Sequence, residues 1–439
     1  VFQMGIYIFI LQVNLKVSLK CRVIKMINEL IEKIDKGQNL LLTGPAGTGK
    51  STIIKALKDH YNRKLVVTST TGISALNIGG GTIHSFSGIG INTKPESIHA
   101  IMNSMVWNKV QKRVRYCDIV VIDEISMLRE DQLNLISEVF KEATRNSAPF
   151  GGKTMIFVGD FLQLPPVVKG QEKINWIFNS KVWKEANIEP VHLFKIHRQT
   201  DETFLSHLIH LRFGWCFENS DAFFKSRTFT EKEIDPNTLR FFSTNMEAEN
   251  FNTKKLYEID SEMKTHYAQV SGISDYYEKQ IKQSTLAQET LELKVGARVM
   301  FLNNYKPEGS DDYLWVNGSL GTVVEYRRKT PIVVLDESGE TVEVKSHTWE
   351  LKDWEGKELA SFTQIPLKLA YGVTIHKSQG LTLDKAVIDC KKIFADGQAY
   401  VALSRVRSSE GLYLLNWNNN LVKADPEAVE FYLKSMKEG

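Results

Sequence analysis

Runs of apolar residues recur through the first half of the chain and alternate with stretches of helical spacing. Leu40-Leu41-Leu42-Thr43, Leu65-Val66-Val67-Thr68, Ile119-Val120-Val121-Ile122 and Met155-Ile156-Phe157-Val158 are apolar with no polar alternation. Such runs suit strands buried on both faces of a parallel sheet. Between two of them, Asp131 to Ala143 sets Leu133, Ile136, Val139 and Phe140 at helical spacing. The pattern predicts an α/β domain. After Pro190 a second series begins, with Leu239–Phe242, Lys385–Asp389 and Gly411–Leu415 as strands of another α/β sheet. Between its parts, Leu291 to Leu351 changes character. Arg298–Leu302, Gly321–Val324, Ile332–Leu335 and Thr341–Val344 are short β-branched runs separated by Gly, Asn and Pro turns. That pattern predicts a small all-β insertion, expected to close as a barrel. No internal repeat or low-complexity tract interrupts the chain.

The length of 439 residues exceeds what one core ordinarily serves, so several domains are expected. An apolar fraction of 42% with 24% charged residues is that of a soluble globular protein. The net charge of +3 does not announce a nucleic-acid binder, but a local basic groove is enough for one. Cys21, Cys117, Cys216 and Cys390 are scattered, which argues against a zinc site and for a reducing compartment. The apolar run Phe2 to Val13 is too short to span a bilayer and lacks both a basic flank and a small-residue cleavage site. It reads as a buried or extraneous segment, with Met26 an alternative start. No targeting signal is evident. A cytoplasmic setting, bacterial or phage-like, is expected, with a nuclear or mitochondrial origin left open.

The strongest chemical signal is Gly44-Pro45-Ala46-Gly47-Thr48-Gly49-Lys50-Ser51, which fits G-x-x-x-x-G-K-[ST] between the Leu40 strand and the helix-compatible Thr52–Leu57. Glycines there let backbone N–H groups close around phosphate oxygens, and the helix N-terminus offers them its positive end. Lys50 would reach the β- and γ-phosphates, and the Ser51 hydroxyl would ligate Mg²⁺. The chain is therefore expected to bind a nucleoside triphosphate. Ile119–Ile122 ends in Asp123-Glu124; the first carboxylate can hold Mg²⁺ through water and the second can polarise the attacking water. Gln163, in Gly159–Pro166, is a candidate for the γ-phosphate or its water, or equally a plain residue of a proline-terminated turn. Arginine best neutralises the γ-phosphate in the transition state. Arg198 and Arg405 are the candidates, both expected in the second half of the fold and both reaching ATP in a cleft between two domains.

Taken together these residues resemble the petite-integration-frequency family of superfamily 1 helicases, in order from about Leu40 to Arg405. The more specific segments are Glu124 to Thr144, similar to the family's signature helix, the turn Pro149-Phe150-Gly151-Gly152-Lys153, and Tyr371 to Gly380 with its Thr374-Ile375-His376-Lys377-Ser378-Gln379-Gly380 core. Thr70–Ala75 and Gly81–Phe86 resemble DNA-facing motifs, Arg198-Gln199 the fourth motif and Tyr400–Arg405 the sixth. The resemblance implies two RecA-like domains, the first over residues 39–190 with a small insertion at 87–116, the second over 191–290 and 352–439, and an SH3-like barrel at 291–351, after an N-terminal segment 1–38. The small insertion carries Lys94, Lys109, Lys112, Arg113 and Arg115. The implied cofactors are ATP and Mg²⁺, with Thr52 and Gly380 added to the nucleotide-binding set. The implied activity is 5′-to-3′ DNA unwinding by a monomer on single strands and single-strand/duplex junctions, with no membrane role. DNA-gripping residue types stand at Thr71, Thr82, His84, Ser85 and Phe86 in the first domain and at Thr244, Asn245, Thr374, His376 and Lys377 in the second, with Phe86 cast as a base-stacking ring and core packing the alternative for Phe86 and His84. One departure stands out: Leu19 to Lys25 contains no glutamine where the family carries its adenine-reading Gln. A helicase-like subunit of a recombination or relaxase complex shares these motifs, and an ATP-gated DNA-binding module is the non-enzymatic alternative.

Overall fold

The computed structural model describes residues 19–71, 74–75, 80–90, 98–104, 106–166, 174–308, 313–352 and 357–438. The run Phe2 to Val13, Gly72-Ile73 and Lys94 fall outside them, as do the side chains of residues 19–24. The chain divides into two compact units, one ending at Arg198 and resuming at Ala424, the other spanning Gln199–Lys423.

In the first unit six strands form one wholly parallel sheet. They are β1 (Leu40–Thr43), β2 (Leu65–Ser69), β3 (Gly81–Thr82), β4 (Ile119–Asp123), β5 (Thr154–Gly159) and β6 (Glu189–His192), in the order β3-β2-β4-β5-β1-β6. β1 and β4 are buried along their whole length, as unbroken apolar runs require. One face packs Leu40, Leu42, Val67, Val121 and Ile156 against Ile53, Ile54 and Leu57 of the helix Lys50–Tyr61 and Leu30 and Ile34 of the helix Leu19–Asp35. The signature helix, Glu130–Thr144, buries Leu133, Ile136, Val139 and Phe140, the spacing expected of it.

Two boundaries differ from the expectation. β6 adds to β1 in register, Leu40 opposite Glu189 and Thr43 opposite His192. A parallel ladder with β1 carries the first unit past residue 190 to Arg198. The second domain was expected to continue to residue 439, yet the helix Pro426–Glu438 belongs to the first unit. Its Phe431 stacks on Phe178 with ring centroids 4.3 Å apart and meets Phe161 edge-on at 5.4 Å. Trp176 Nε1 donates to Asp425 at 3.0 Å, fixing where that helix begins.

The second unit holds a four-stranded parallel sheet, Gly372–Thr374, Arg240–Phe242, Ala386–Asp389 and Leu412–Leu415 in that order. Between its parts lies a β-rich insertion. Thr341–Glu343, Thr330–Leu335, Leu320–Arg327, Arg298–Phe301 and Leu367–Leu369 form a five-stranded antiparallel sheet around Val299, Phe301, Val323, Val333 and Trp315. The insertion is broader than the expected 291–351. Gln269–Gly272 pairs with Glu358–Gln364, and Lys264–Tyr267 with Thr290–Leu293. Lys264–Tyr267 and Gln269–Gly272 alternate exposed and half-covered residues, so they carry no apolar run to betray them.

Candidate active site

The C-terminal edge of the parallel sheet collects the chemistry of the first unit. From β1 the chain enters the phosphate loop, where Gly44, Gly47 and Gly49 take φ of 152°, 80° and 88°. Gly47 shows why glycine is needed: a Cβ there would stand 2.6 Å from Arg198 Cβ. A Cβ on Gly44 would run into the Leu193 carbonyl, just after β6. Thr48 Oγ1 donates to Pro45 O at 3.0 Å and braces the loop from within. Lys50 Nζ donates to Gly44 O at 2.7 Å and Pro45 O at 2.9 Å, which sets its ammonium over the loop. Ala46 and Thr48 are buried, whereas Ser51 and Thr52 in the first turn of the helix Lys50–Tyr61 are exposed.

Two strands along, β4 delivers Asp123, which is 7% exposed. Burial pushes its carboxyl up from the usual carboxylate range, opposed by the Glu124 N–H, the Ser74 hydroxyl and the Lys50 charge. Ser74 Oγ donates to Asp123 Oδ2 at 3.1 Å and Glu124 N to Oδ1 at 2.9 Å. Glu124 then takes φ 53°, ψ 43°, a left-handed conformation that a non-glycine residue adopts at a cost. Thr70 Oγ1 holds its carbonyl at 2.8 Å. From β5, Gln163 Nε2 donates to Asp160 Oδ2 at 3.1 Å, so a buried aspartate orients the glutamine. Ser74 and Asp160, which the sequence alone does not single out, hold the Asp123 and Gln163 side chains in place. Ser74 lay inside a segment read as DNA-facing, and Asp160 immediately beside a motif residue.

Arg198 was expected beyond the domain boundary, but it stands beside the phosphate loop within the same unit. His197 N donates to Gly47 O at 2.8 Å, fixing the Arg198 backbone against the loop. This placement follows from β6 running alongside β1. Arg405 lies in the second unit after the buried helix Gln398–Leu403. It is 2% exposed, with Nε on Val401 O at 2.8 Å and Nη2 on Ser404 Oγ at 3.0 Å. Gln199 caps the same region, Nε2 reaching Ser404 O at 2.9 Å and Val406 O at 3.1 Å. Gly380 is exposed in a left-handed turn at φ 81°.

The residues expected on DNA divide. Thr82 accepts from Ser85 N at 3.1 Å and thereby caps the short helix Ile83–Ser87, leaving Thr82, His84 and Ser85 partly exposed. Burial lowers the His84 pKa, which favours the neutral ring. Thr71, partly exposed, accepts from Ser74 N at 3.3 Å. Phe86 is not a surface ring. It is 7% exposed, meets Phe140 of the signature helix edge-on at 5.9 Å, and lies 5.6 Å beneath the Arg113 guanidinium. Its place as a base-stacking residue is withdrawn, because it closes the core under that helix. In the second unit, Arg240–Phe242 and Gly372–Thr374 are neighbouring parallel strands, and their C-terminal ends bring together the two segments expected to grip DNA. Thr374 Oγ1 donates to Asn245 Oδ1 at 3.4 Å and accepts from Lys377 N at 3.3 Å. Thr374 is itself 3% exposed, so it positions that cluster rather than presenting its hydroxyl. Thr244 and Asn245 are exposed, His376 and Lys377 partly so, and burial lowers the His376 pKa. Asn252, also unforeseen, accepts from Tyr371 N at 3.0 Å and Gly372 N at 2.7 Å and pins this strand.

A phosphate loop with its ammonium in place, a buried aspartate at the next strand but one, and an arginine seated on the loop make a phosphate-handling centre. Residues 19–212 match the model of the PIF1-like helicases. The chain is 36% identical over 403 residues to the ATP-dependent DNA helicase Pif1 of Bdellovibrio bacteriovorus, covering 92% of this chain and 90% of that one.

The chain belongs to the PIF1-like helicase family.

It is 34% identical to the zebrafish (Danio rerio) ATP-dependent DNA helicase PIF1, covering 93% of this chain but 63% of that longer protein. The structure of Bacteroides Pif1 in complex with ADP-AlF4 superposes with a TM-score of 0.81 at 29% identity, over 97% of this chain and 98% of that one. Among the described residues no helix is long and apolar enough to cross a membrane.

Proposed function

We infer that this chain is an ATP-dependent DNA helicase that moves 5′ to 3′ on single strands and opens the duplex ahead. The observation that carries the reading is the convergence of Lys50, Asp123 and Arg198 on one sheet edge, in a chain whose relatives are named DNA helicases over most of its length. In this reading the loop amides of Gly44 to Ser51 and the Lys50 ammonium bind the phosphates of ATP. The buried Asp123 carboxylate, held by Ser74, and the exposed Ser51 hydroxyl fit a hard cation such as Mg²⁺, which would draw charge from the phosphates when bound. Glu124, presented by its left-handed backbone, accepts the proton of the attacking water. Gln163, oriented by Asp160, positions that water. Arg198 meets the charge that develops on the transferred phosphoryl group, and Arg405 is assigned the same task by its motif. The Thr82–Ser85 turn and the Asn245–Lys377 cluster are the two grips on the strand. The β-rich insertion is taken as the family's SH3-like element, and Mg-ATP as the fuel.

The test is unwinding of duplexes carrying either a 5′ or a 3′ tail, with Lys50→Ala as the inactive control. The 5′-tailed duplex is expected to open and the 3′-tailed one to resist. Loss of the Lys50 charge should lower DNA-stimulated ATPase by more than about tenfold. Efficient opening of 3′-tailed substrates, or an active Lys50→Ala variant, would refute the reading.

A further inference from the structure

Two large apolar side chains of the second unit lie open to solvent, Phe394 at 71% and Met246 at 70% exposure. Single exposed apolar residues are ordinary on any surface. These two differ in where the sheet puts them and in how firmly the chain holds them. Arg240–Phe242 and Ala386–Asp389 are neighbouring parallel strands. Met246 follows the first at its C-terminal end and Phe394 follows the second, so both leave the sheet edge that also carries Thr244 and Asn245. A side-chain network straps the two turns together. Lys392 Nζ donates to Glu247 Oε1 at 2.6 Å, while Glu247 Oε2 accepts from Thr244 Oγ1 at 3.1 Å and Ser243 Oγ at 3.2 Å. Met246 immediately precedes Glu247, and Phe394 stands two residues beyond Lys392. The Phe394 turn is also fixed from within. Asp389 Oδ1 accepts from Lys391 N at 3.1 Å where the strand ends. The fully buried Gln398 accepts with Oε1 from Phe394 N at 2.9 Å and Ala395 N at 3.0 Å.

The backbone beneath Phe394 is therefore held while its ring stays in water, forgoing the stabilisation that burial would bring. A ring on such a turn loses little further freedom when a flat partner covers it, which makes it an anchor. Methionine beside it is unbranched and polarisable, and adapts to the outline of whatever is bound. Glu247 takes the Lys392 ammonium, and the exposed Lys391 adds a positive charge to the same turn. A flat apolar face with a cation next to it matches a nucleobase and its phosphate. We propose that Phe394 and Met246 cradle one base of the single strand, with Lys391 supplying charge to an adjoining phosphate. The proposal rests on the helicase reading above. It gives the strand a base platform at the edge where Asn245 and Thr374 meet, the part that Phe86, closed into the core, does not play. Stacking accepts any base, so the cradle holds the strand without reading its sequence.

The experiment compares two fluorescent strands of equal length, an oligothymidylate and an abasic strand with the same phosphates, bound by the full chain and followed by anisotropy across a salt series. Phe394→Ala is expected to weaken binding of the oligothymidylate by on the order of tenfold, with the slope of log K against log salt unchanged because no charge is lost. On the abasic strand the same variant should bind as the wild type does. Phe394→Trp, which keeps a stacking face, should retain the wild-type affinity for the oligothymidylate. Lys391→Gln should show the opposite signature, a slope lower by about 0.7 on both strands. The melting temperature of Phe394→Ala should stay at the wild-type value, since the ring is open to solvent. Unchanged affinity of Phe394→Ala for the oligothymidylate overturns the proposal and leaves the patch to a protein partner. An equal loss on both strands also overturns it, because the residue would then shape the edge without touching a base. A wild type that binds neither strand would bring down the helicase reading itself, a different result from either.

Discussion

Glu124 holds φ 53° and ψ 43° at the end of β4 with its carboxylate partly exposed beside the buried Asp123. Replacing it by glycine separates what the residue costs the fold from what it does for the chemistry. The left-handed backbone costs a side-chain-bearing residue about 1–2 kcal/mol. Glycine returns about 0.5–1 kcal/mol of that through its greater freedom in the unfolded chain. The net gain is about 1 kcal/mol, and removal of a carboxylate beside Asp123 acts in the same direction. For a unit of about 200 residues that corresponds to a melting temperature higher by about 2–4 °C. Glu124→Gln keeps the backbone strain and should gain only the small charge term. Both variants lose the carboxylate proposed as the proton acceptor, so DNA-stimulated ATPase should fall by about 10²- to 10⁴-fold while ATP binding persists. Scanning calorimetry of the full chain, paired with turnover on oligothymidylate, reads the two effects separately. A Glu124→Gly variant that melts below the wild type would show that the side chain supports the fold and that the strain argument is wrong. Near-normal hydrolysis by Glu124→Gln would hand the water to another residue.

Two further substitutions probe the geometry around it. Gly47→Ala places a methyl 2.6 Å from Arg198 Cβ in a loop already at φ 80°. Displacing Arg198 by about 1 Å should lower kcat by about 10²-fold, and wild-type turnover would separate Arg198 from the chemistry. Phe86→Ala empties a core position against Phe140 and should destabilise the first unit by about 3–5 kcal/mol. At a temperature where that variant remains folded, its affinity for oligothymidylate should match the wild type, and a selective loss of affinity would restore Phe86 to the DNA path.

The chain by itself determined the elements whose signal is local. The apolar runs at Leu40, Leu65, Ile119 and Met155 are strands because their burial on both faces leaves no polar alternation. The phosphate loop and the acids ending β4 were legible for the same reason, since both are contiguous and their chemistry requires particular residues at particular spacings. Tertiary structure decided what depends on partners distant in sequence. Arg198 stands beside the phosphate loop because β6 pairs with β1 across about a hundred and fifty residues of chain, a ladder that no local pattern encodes. Ser74 steadies Asp123 because β2 and β4 are neighbours in the sheet. An aromatic such as Phe86 reads alike whether its ring faces a base or a core, and only the packing of Glu130–Thr144 above it settled the matter. The helix Pro426–Glu438 shows the same limit. Its amphipathic pattern says that one face must be covered, and the ring of Phe178 beneath Phe431 selects the unit that covers it.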